Sequence, residues 1–504
     1  MMKSATGWTG SRQTMTDMYA SRFLLVLTAF AVFLVPSCTR TDRVDVIPAP
    51  AQVSMRGPRF ALSDLGTPRF EMDAAVPAEG YELRISRRGI RIKASDPAGF
   101  FYAGQTLKQL AGEDGTVPAG TIKDAPRFGW RAYMLDASRH FVEKEKIFQI
   151  LDLMARYKLN KFHWHLTDSD AWRLELEGLP ELTRTGARGC HSNPEAPARY
   201  YSLQDVRDIV AYAAARHIEV IPEIDMPGHA SASNRAYPEY SGGGSERFPD
   251  FTFNVGKEET YAYLSGILAQ VAEQFPGRYI HIGGDEVDFA IQAWESKPEI
   301  QELISREKLD GLKGAEAWFD RRMQGVVAGL GRTCLMWCDA VEYGLPKEST
   351  VLYWWRHDRK DMLRRGLEEG YPTVLCPRHP LYFDFVQADS LKYGRTQGGP
   401  CTLEEVHAYP DTEKDAFAGG AVSPLVLGVE ACLWTEMVEN GKRVDFMTLP
   451  RLAALAEAAW TKAERKDFAA FSALLEREYG VYDRMGLWYY DRRDPARHGE
   501  RPEN

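Results

Sequence analysis

The hydrophobic pattern of the chain changes near Pro126, and this change predicts two folded units. Before it, stretches such as residues 81–85 and 89–93 alternate apolar and polar positions with a period of two, which is typical of half-buried strands. A helical segment follows from residue 98 to about residue 111. We therefore predict a small α+β domain over residues 39–125.

After Pro126, apolar strand-like runs alternate with amphipathic helices, for example at residues 143–157, 203–216 and 258–275. The strands are predicted near residues 132–136, 161–166, 218–224, 279–283, 333–337, 351–355, 373–376 and 427–433. Such a repeat predicts an α/β fold, a catalytic (β/α)8 TIM barrel over residues 126–470. A doubly wound sheet is the competing fold. We prefer the barrel because polar residues recur after the carboxyl ends of many strands, where barrel active sites are built.

The two ends of the chain differ from these units. Arg22 precedes an apolar run over residues 23–35 that leads to Cys38. This run is shorter than the roughly 20 residues that a membrane-spanning helix needs, but it suits a signal peptide. Residues 1–38 resemble a bacterial lipoprotein signal, which predicts an exported periplasmic or outer-membrane protein held by lipid on Cys38. The alternative is that the segment is an uncleaved anchor. Residues 471–504 are predicted to form a C-terminal helix and a polar tail.

Composition and charge exclude some classes of partner. The formal net charge of −9 argues against nucleic acid as a partner. The six cysteines beyond Cys38 are scattered without CxxC pairs, so we expect buried thiols and no metal site or cofactor. The 12 tryptophans suit either a large core or a platform for sugar rings, whose apolar faces pack on aromatic rings.

The densest group of chemically capable residues is His281-Ile282-Gly283-Gly284-Asp285-Glu286-Val287. An apolar strand there runs into two glycines and two adjacent acids. Two close carboxylates oppose each other's ionisation, so one of them stays protonated at neutral pH, as a general acid requires. The alternative is that Asp285 only caps the helix that follows the strand.

Further strand ends add groups that favour the catalytic interpretation. Asp168, His229 and Arg139 each follow a predicted strand. Acid, imidazole and guanidinium groups are therefore expected to meet at one rim of the barrel, where His229 beside Asp168 and Glu286 would tune the proton affinity of the acid.

Eight sequence runs, taken together and in order, resemble glycoside hydrolase family 20, the β-N-acetylhexosaminidases. They cover about residues 46–465 and are GFFYAGQTL (99–107), LDASRHF (135–141), FHWHLTD (162–168), PEIDMPGH (222–229), HIGGDEV (281–287), LYFD (381–384), GVEACLWTE (428–436), and PR with AEAAW (450–460). The resemblance implies a small α+β domain before a catalytic barrel, and a glycan with a terminal N-acetylhexosamine as substrate.

The resemblance also implies roles for single residues. In this family the acetamido oxygen of the substrate attacks the anomeric carbon, so the enzyme supplies no nucleophile. Glu286 is then the acid and base, Asp285 accepts a hydrogen bond from the acetamido N–H, and Tyr382 orients the acetamido oxygen. Asp168 and His229 assist Glu286. The sugar-binding residues implied are Arg139, Trp337, Trp355 (with Trp354 as the alternative), Asp384, Trp434 and Glu436.

Two other functions remain open at this point. One is a glycan-binding lipoprotein on a decayed barrel, which would not need the acid pair. The other is a glycosidase of another barrel family that attacks through its own carboxylate. The sequence also departs from the family pattern outside the proposed sugar pocket, as in Asp168-Ser169-Asp170-Ala171-Trp172 and Cys338-Asp339-Ala340, and these departures leave the preference for the leaving group undetermined.

Overall fold

The N-terminal unit is a five-stranded sheet with one helix packed on it. The structure, a computed structural model, describes residues 42–112 and 114–502. The strands β1 to β5 lie in the order β1-β5-β3-β4-β2. Their bounds, with those of helix α1, are Gln52–Ala61 (β1), Arg69–Met72 (β2), Tyr81–Ser86 (β3), Gly89–Ala94 (β4), Pro97–Leu110 (α1) and Thr116–Asp124 (β5). Asp96 caps α1 by accepting a hydrogen bond from Gly99 N, and Pro97 occupies the first turn, where it displaces no helical hydrogen bond.

The second unit is a closed barrel of eight parallel strands in which each strand pairs with the next in the chain. The strands are Trp130–Asp136 (β6), Lys161–His165 (β7), Glu219–Met226 (β8), Tyr279–Gly283 (β9), Thr333–Trp337 (β10), Thr350–Trp354 (β11), Thr373–Leu375 (β12) and Val426–Leu433 (β13). Strand β13 pairs with β6 and closes the barrel. The predicted (β/α)8 fold is confirmed, and the doubly wound alternative is wrong.

Helices cover the outside of the barrel, and a further helix follows the barrel in the chain. They are Lys144–Arg156 (α2), Leu203–Ala214 (α3), Ser231–Ala236 (α4), Glu258–Gln274 (α5), Pro298–Glu307 (α6), Gly311–Gly329 (α7), Lys360–Glu369 (α8), Leu403–Ala408 (α9), Gly441–Thr448 (α10), Arg451–Trp460 (α11) and Phe468–Arg484 (α12). Helices such as α2 and α3 bury one apolar face, as the helical periodicity predicts.

The C-terminal segment differs in two ways from its prediction. Helix α12 begins at Phe468, ahead of the predicted boundary at residue 471, because the Asp467 side chain caps it by accepting a hydrogen bond from Ala470 N. The tail that follows this helix is polar in composition, but part of it is buried in the folded protein. Leu487, Tyr489 and Tyr490 are each no more than 5% exposed, and their rings and methyl groups join the barrel core.

The small domain and the barrel share a buried polar contact. Trp460, the last residue of α11, lies in the core of the small domain and donates its indole N–H to Asp124 Oδ2 over 3.0 Å. The same oxygen accepts from Tyr81 Oη at 2.7 Å and from Lys158 Nζ at 3.1 Å. Lys158 and Asp124 side chains are 0% and 1% exposed, so these hydrogen bonds and charges satisfy each other away from water.

We expect Asp124→Ala to destabilise the protein strongly. Removal of the carboxylate leaves the Lys158 ammonium buried without its counter-charge, which typically costs about 3–5 kcal/mol. The measurement is the denaturant midpoint of unfolding. Asp64→Ala, which removes an exposed carboxylate of the same domain, should leave that midpoint nearly unchanged. A midpoint for Asp124→Ala equal to that of wild type would refute the importance of this contact.

Two N-terminal predictions fall outside the described residues. The signal segment of residues 1–38 and the lipid attachment at Cys38 both precede residue 42, where the description begins. Across residues 42–112 and 114–502, no helix combines the length and apolar character that crossing a membrane requires.

Candidate active site

Most of the predicted site residues line one open pocket at the carboxyl ends of the barrel strands. They are Arg139, Asp168, His229, Asp285, Glu286, Trp337, Trp355, Tyr382, Trp434 and Glu436. Asp225, Arg378 and Arg395 line the same pocket. Asp384 is the one predicted residue that does not line it.

Two glycines turn the chain so that the adjacent acids face the pocket. Strand β9 ends at Gly283, and Gly283 and Gly284 both have left-handed backbones, with φ of 72° and 89°. A Cβ on Gly283 would lie 1.7 Å from Asp225 Oδ1, so no other residue fits there. Glu286 is itself left-handed, with φ of 52°, a strained conformation that is concentrated at functional sites. The following one-turn helix has no side-chain cap, and the alternative that Asp285 serves as a helix cap is wrong.

A series of close polar contacts leads to the acid pair. Asp168 Oδ1 is 3.0 Å from His229 Nδ1, and Asp168 Oδ2 is 2.7 Å from Arg139 Nη2. On its other side, His229 Nε2 lies 3.6 Å from both Asp285 Oδ2 and Glu286 Oε2. The imidazole therefore stands between one ionised carboxylate and the two acids.

The environment separates the proton affinities of the two acids. Burial raises the pKa of Asp285 to about 7, and the negative charge of Glu286 adds to this, although His229 opposes it. Burial by itself would also raise the pKa of Glu286, but the facing His229 and the more distant charges of Arg139 and Arg356 lower it. Below about pH 7 the pair therefore shares one proton, held mainly on Asp285.

A buried turn fixes the position of Arg139. Asp136 Oδ1, at the end of β6, accepts hydrogen bonds from the backbone N–H groups of Ser138 at 2.8 Å and Arg139 at 3.2 Å. Asp136 Oδ2 accepts from the Thr435 N–H and hydroxyl at 3.0 and 2.9 Å, which ties the first strand to the loop after the last one. The Arg139 guanidinium consequently lies 5.0 Å over the Trp434 ring.

Aromatic rings form the walls of the pocket. The rings of Trp355 and Tyr382 lie nearly parallel, with centroids 6.4 Å apart. Trp434 is 6.1 Å from Tyr382 and 6.0 Å from Trp337. Of the two candidates after Tyr353, Trp355 lines the pocket, while Trp354 is fully buried and donates its indole N–H to Arg359 O. These rings leave a space with apolar faces, which is suited to a pyranose ring.

Arg395 connects two carboxylates that the resemblance assigns to sugar hydroxyls. Its Nε lies 2.6 Å from Asp384 Oδ2, and its Nη2 lies 2.6 Å from Glu436 Oε1. Burial raises the pKa of Asp384 to about 7, against the opposing charge of Arg395. Asp384 lies behind Arg395, which lines the pocket. Sequence reasoning missed Arg395 because it lies in a long irregular loop with no periodic pattern.

A buried acid, also missed from the sequence as a site residue, supports the pocket floor. Glu223 accepts a hydrogen bond from Trp337 Nε1 at 2.9 Å and from the imidazole of His165, and it lies 3.2 Å from His163 Nε2. Burial would raise the pKa of Glu223, but the histidines, His165 foremost, hold it well below its usual value. His165 Nε2 also hydrogen-bonds to Asp168 Oδ2 at 2.8 Å. A series of polar contacts therefore connects Trp337, through Glu223, to the residues around the acid pair. The signal for it was a glutamate in the interior of the apolar strand of residues 218–224.

Three sets of described residues come close enough together to hold a metal ion. They are His163 with Glu223 and His281, His165 with Asp168 and Asp225, and Asp225 with His229 and Asp285. The contacts given above already pair most of these atoms with one another. The expectation that the chain uses no metal or cofactor stays a prediction.

Family comparisons agree with the two folded units. Residues 128–463 match the family model described as glycosyl hydrolase family 20, catalytic domain, and residues 66–125 match the one described as glycosyl hydrolase family 20, domain 2.

Individual relatives and solved structures give the same assignment. A beta-hexosaminidase of Porphyromonas gingivalis is 35% identical over 446 residues, which is 83% of this chain and 56% of that protein. A beta-N-acetylhexosaminidase of Cellulomonas fimi is 30% identical over 483 residues, 92% of each chain. The crystal structure of an exo beta-N-acetylglucosaminidase from Vibrio harveyi, in complex with N-acetylglucosamine, has a TM-score of 0.81 and 28% identity, covering 91% of this chain and 80% of that one. The chain thus spans little more than half the length of the Porphyromonas relative.

Proposed function

The chain belongs to glycosyl hydrolase family 20, and from this premise we propose that it is a β-N-acetylhexosaminidase. Its substrate is a glycan that ends in a β-linked N-acetylglucosamine or N-acetylgalactosamine, which it releases with retention of the anomeric configuration. The observation that carries the proposal is the placement of Asp285, Glu286 and Tyr382 on one pocket with three tryptophans. A glycan-binding protein on a decayed barrel would have no use for the acids.

The mechanism assigns a separate task to each acid. Glu286 donates a proton to the glycosidic oxygen while the acetamido oxygen of the substrate attacks the anomeric carbon and the bond to the leaving group breaks. Asp285 accepts a hydrogen bond from the acetamido N–H and offsets the positive charge of the cyclic oxazolinium ion. The Tyr382 hydroxyl donates a hydrogen bond to the acetamido oxygen and so fixes the direction from which this oxygen attacks the anomeric carbon.

The second half of the reaction reverses the proton transfer. Glu286, now ionised, removes a proton from water, and the water oxygen attacks the anomeric carbon to reopen the ring. Two displacements restore the original configuration. His229, held by Asp168, stays positively charged because the surrounding carboxylates raise its pKa well above the usual value, against the effect of burial. It thus stabilises Glu286 in the ionised state that forms midway.

The protonation of the acid pair predicts the pH dependence of the reaction. We expect kcat/KM to fall as pH rises through about 7, because the acid pair then loses the shared proton that Glu286 must donate. The sign follows from the raised pKa of Asp285, which keeps that proton bound at lower pH. A pH profile of kcat/KM, which reports the free enzyme, checks this expectation. A constant value well into the alkaline range would contradict it.

Inhibition by a thiazoline analogue of the oxazolinium ion tests the proposal. We expect strong competitive inhibition, since the analogue occupies the sugar pocket without a leaving group. A glycosidase that attacks through its own carboxylate would resist it, and its nucleophile would lie on a different strand from its acid. Product analysis by NMR should show the β anomer first. Active enzyme that is not inhibited would refute substrate-assisted catalysis.

We further propose that the protein is exported and anchored by lipid at Cys38. Support comes from the sequence alone, in the short apolar run that ends at this cysteine. We expect Cys38→Ser to move the enzyme from the membrane fraction to the soluble fraction, because acyl chains and not a helix would hold it. Activity in each fraction of the producing bacterium is the measurement, and Cys190→Ser serves as the control. Unchanged membrane association of the Cys38 variant would show that another anchor acts.

A further inference from the structure

The rim of the pocket carries an aromatic group that the mechanism leaves unused. We call Phe248, Phe251 and Phe289 the rim patch. The Phe289 side chain is 45% exposed. Among the described residues, the other large apolar side chains that are exposed to solvent are Phe70, Met72 and Tyr200. A single exposed ring is ordinary, but grouped apolar surface bordered by polar residues is typical of a ligand-binding surface, and half-buried Phe248 with exposed Phe289 forms such a group.

The Phe289 ring is held in a fixed orientation. It stacks on the Phe248 ring at 5.3 Å between centroids, with only 13° between the planes. The Arg247 guanidinium lies 5.0 Å from the Phe248 centroid and supports that ring in turn. One face of Phe289 is therefore covered by protein, and the exposed fraction of the ring remains for a ligand.

The rim patch is continuous with the acid pair. The Phe289 N–H donates to the Glu286 carbonyl over 3.0 Å, so one helical turn separates the ring from the acid. Phe251, which is buried, lies 4.7 Å from the His229 ring and 6.3 Å from Phe289. The loops that carry these residues follow the neighbouring strands β8 and β9.

We propose that Phe289, backed by Phe248, is the platform for the sugar residue that leaves, on the reducing side of the cleaved bond. This inference rests on the proposed function. An acid that protonates the glycosidic oxygen must face the leaving group, and Phe289 lies three residues after that acid, at the end of the one-turn helix Val287–Phe289. The carbon-bound hydrogens on one face of a hexopyranose pack on an aromatic ring.

Polar groups next to the ring suit the hydroxyl edge of the same sugar. Asp288 and Lys313 form an ion pair of 2.9 Å beside Phe289, with side chains 67% and 51% exposed. Asp288 is available to hydrogen-bond with a ligand on the rim, while Lys313 is also held by the buried Glu316 carboxylate at 2.8 Å. The pocket binds the terminal sugar and the rim patch binds the leaving sugar. The rim patch therefore determines which leaving groups are cleaved rapidly.

The test compares a disaccharide with an inhibitor that lacks a leaving group. The disaccharide is the one that wild type hydrolyses fastest, from a panel in which N-acetylglucosamine is linked to different hydroxyls of a second sugar. We expect Phe289→Ala to lower kcat/KM for it by about tenfold, the effect of losing one stacking contact. The Ki of the thiazoline should stay the same, and Phe289→Tyr should restore the rate.

Phe70→Ala provides a matched control, because Phe70 is 60% exposed but lies on strand β2 of the small domain. It should change neither quantity. An unchanged kcat/KM in Phe289→Ala overturns the inference, and so does an equal loss of thiazoline affinity, which would mean that the ring only supports the sugar pocket. If wild type fails to bind the thiazoline, the proposed function fails first and this inference with it.

Discussion

Glu286→Gln should lower kcat/KM for an N-acetylhexosaminyl disaccharide by about 10²–10⁴-fold, the usual contribution of a positioned general acid. The amide keeps the shape of the side chain but has no acidic proton for the leaving oxygen. Substrates with good leaving groups, such as dinitrophenolate, need little protonation and should lose much less. Steady-state kinetics on both substrates gives the comparison.

Two controls separate chemistry from damage to the fold in this variant. Glu342→Gln changes a carboxylate that is 55% exposed on the loop after β10, and it should leave both rates unchanged. Glu286→Gln should still bind the thiazoline, which shows that the pocket is intact. Undiminished turnover of the disaccharide would remove Glu286 from the role of acid.

Asp285→Asn should lower kcat by about 10²–10³-fold, as expected when one preorganised electrostatic contact to a charged intermediate is lost. The amide no longer balances the positive oxazolinium ion. The alkaline limb of the kcat/KM profile should also move to lower pH, because Glu286 then titrates without a negative neighbour and beside His229, which lowers its pKa.

The thermal stability of the Asp285 variant distinguishes a catalytic role from a structural one. Burial raises the pKa of Asp285 to about 7, so its charge is unfavourable in the folded protein, and a neutral amide should keep or increase the melting temperature at neutral pH. A variant that is stable and fully active would exclude Asp285 from the mechanism.

The barrel strands were predictable because each is a short apolar run between amphipathic helices. Their observed ends lie within two residues of the predicted ones, and β9 and β10 match at both ends. Strand β2 was not predicted, since all four of its residues are exposed and no face of it enters the core. The hydrophobic pattern predicts a strand only where one face of that strand is buried, because only burial selects apolar residues at alternate positions.

The site was predictable where its residues follow strand ends, and not elsewhere. Asp285 and Glu286 come directly after the glycines that end β9, which marked them in the sequence. The choice between Trp354 and Trp355 was not decidable, because β11 ends at Trp354 and the alternation of a strand does not extend past its end. Arg395 lies in a loop whose path is set by tertiary contacts alone, and Arg378 begins a short kinked helix, Arg378–Leu381.

The indole of Trp460 has a consequence for the order in which the protein is made. The small domain is translated first, but part of its core is the Trp460 side chain at the end of helix α11, which also donates one of the hydrogen bonds that Asp124 accepts. When only the small domain has emerged from the ribosome, its core still lacks the Trp460 ring. Maturation of the amino-terminal domain should therefore wait for the barrel, and in a nascent chain stopped before residue 460 that domain should remain sensitive to proteases.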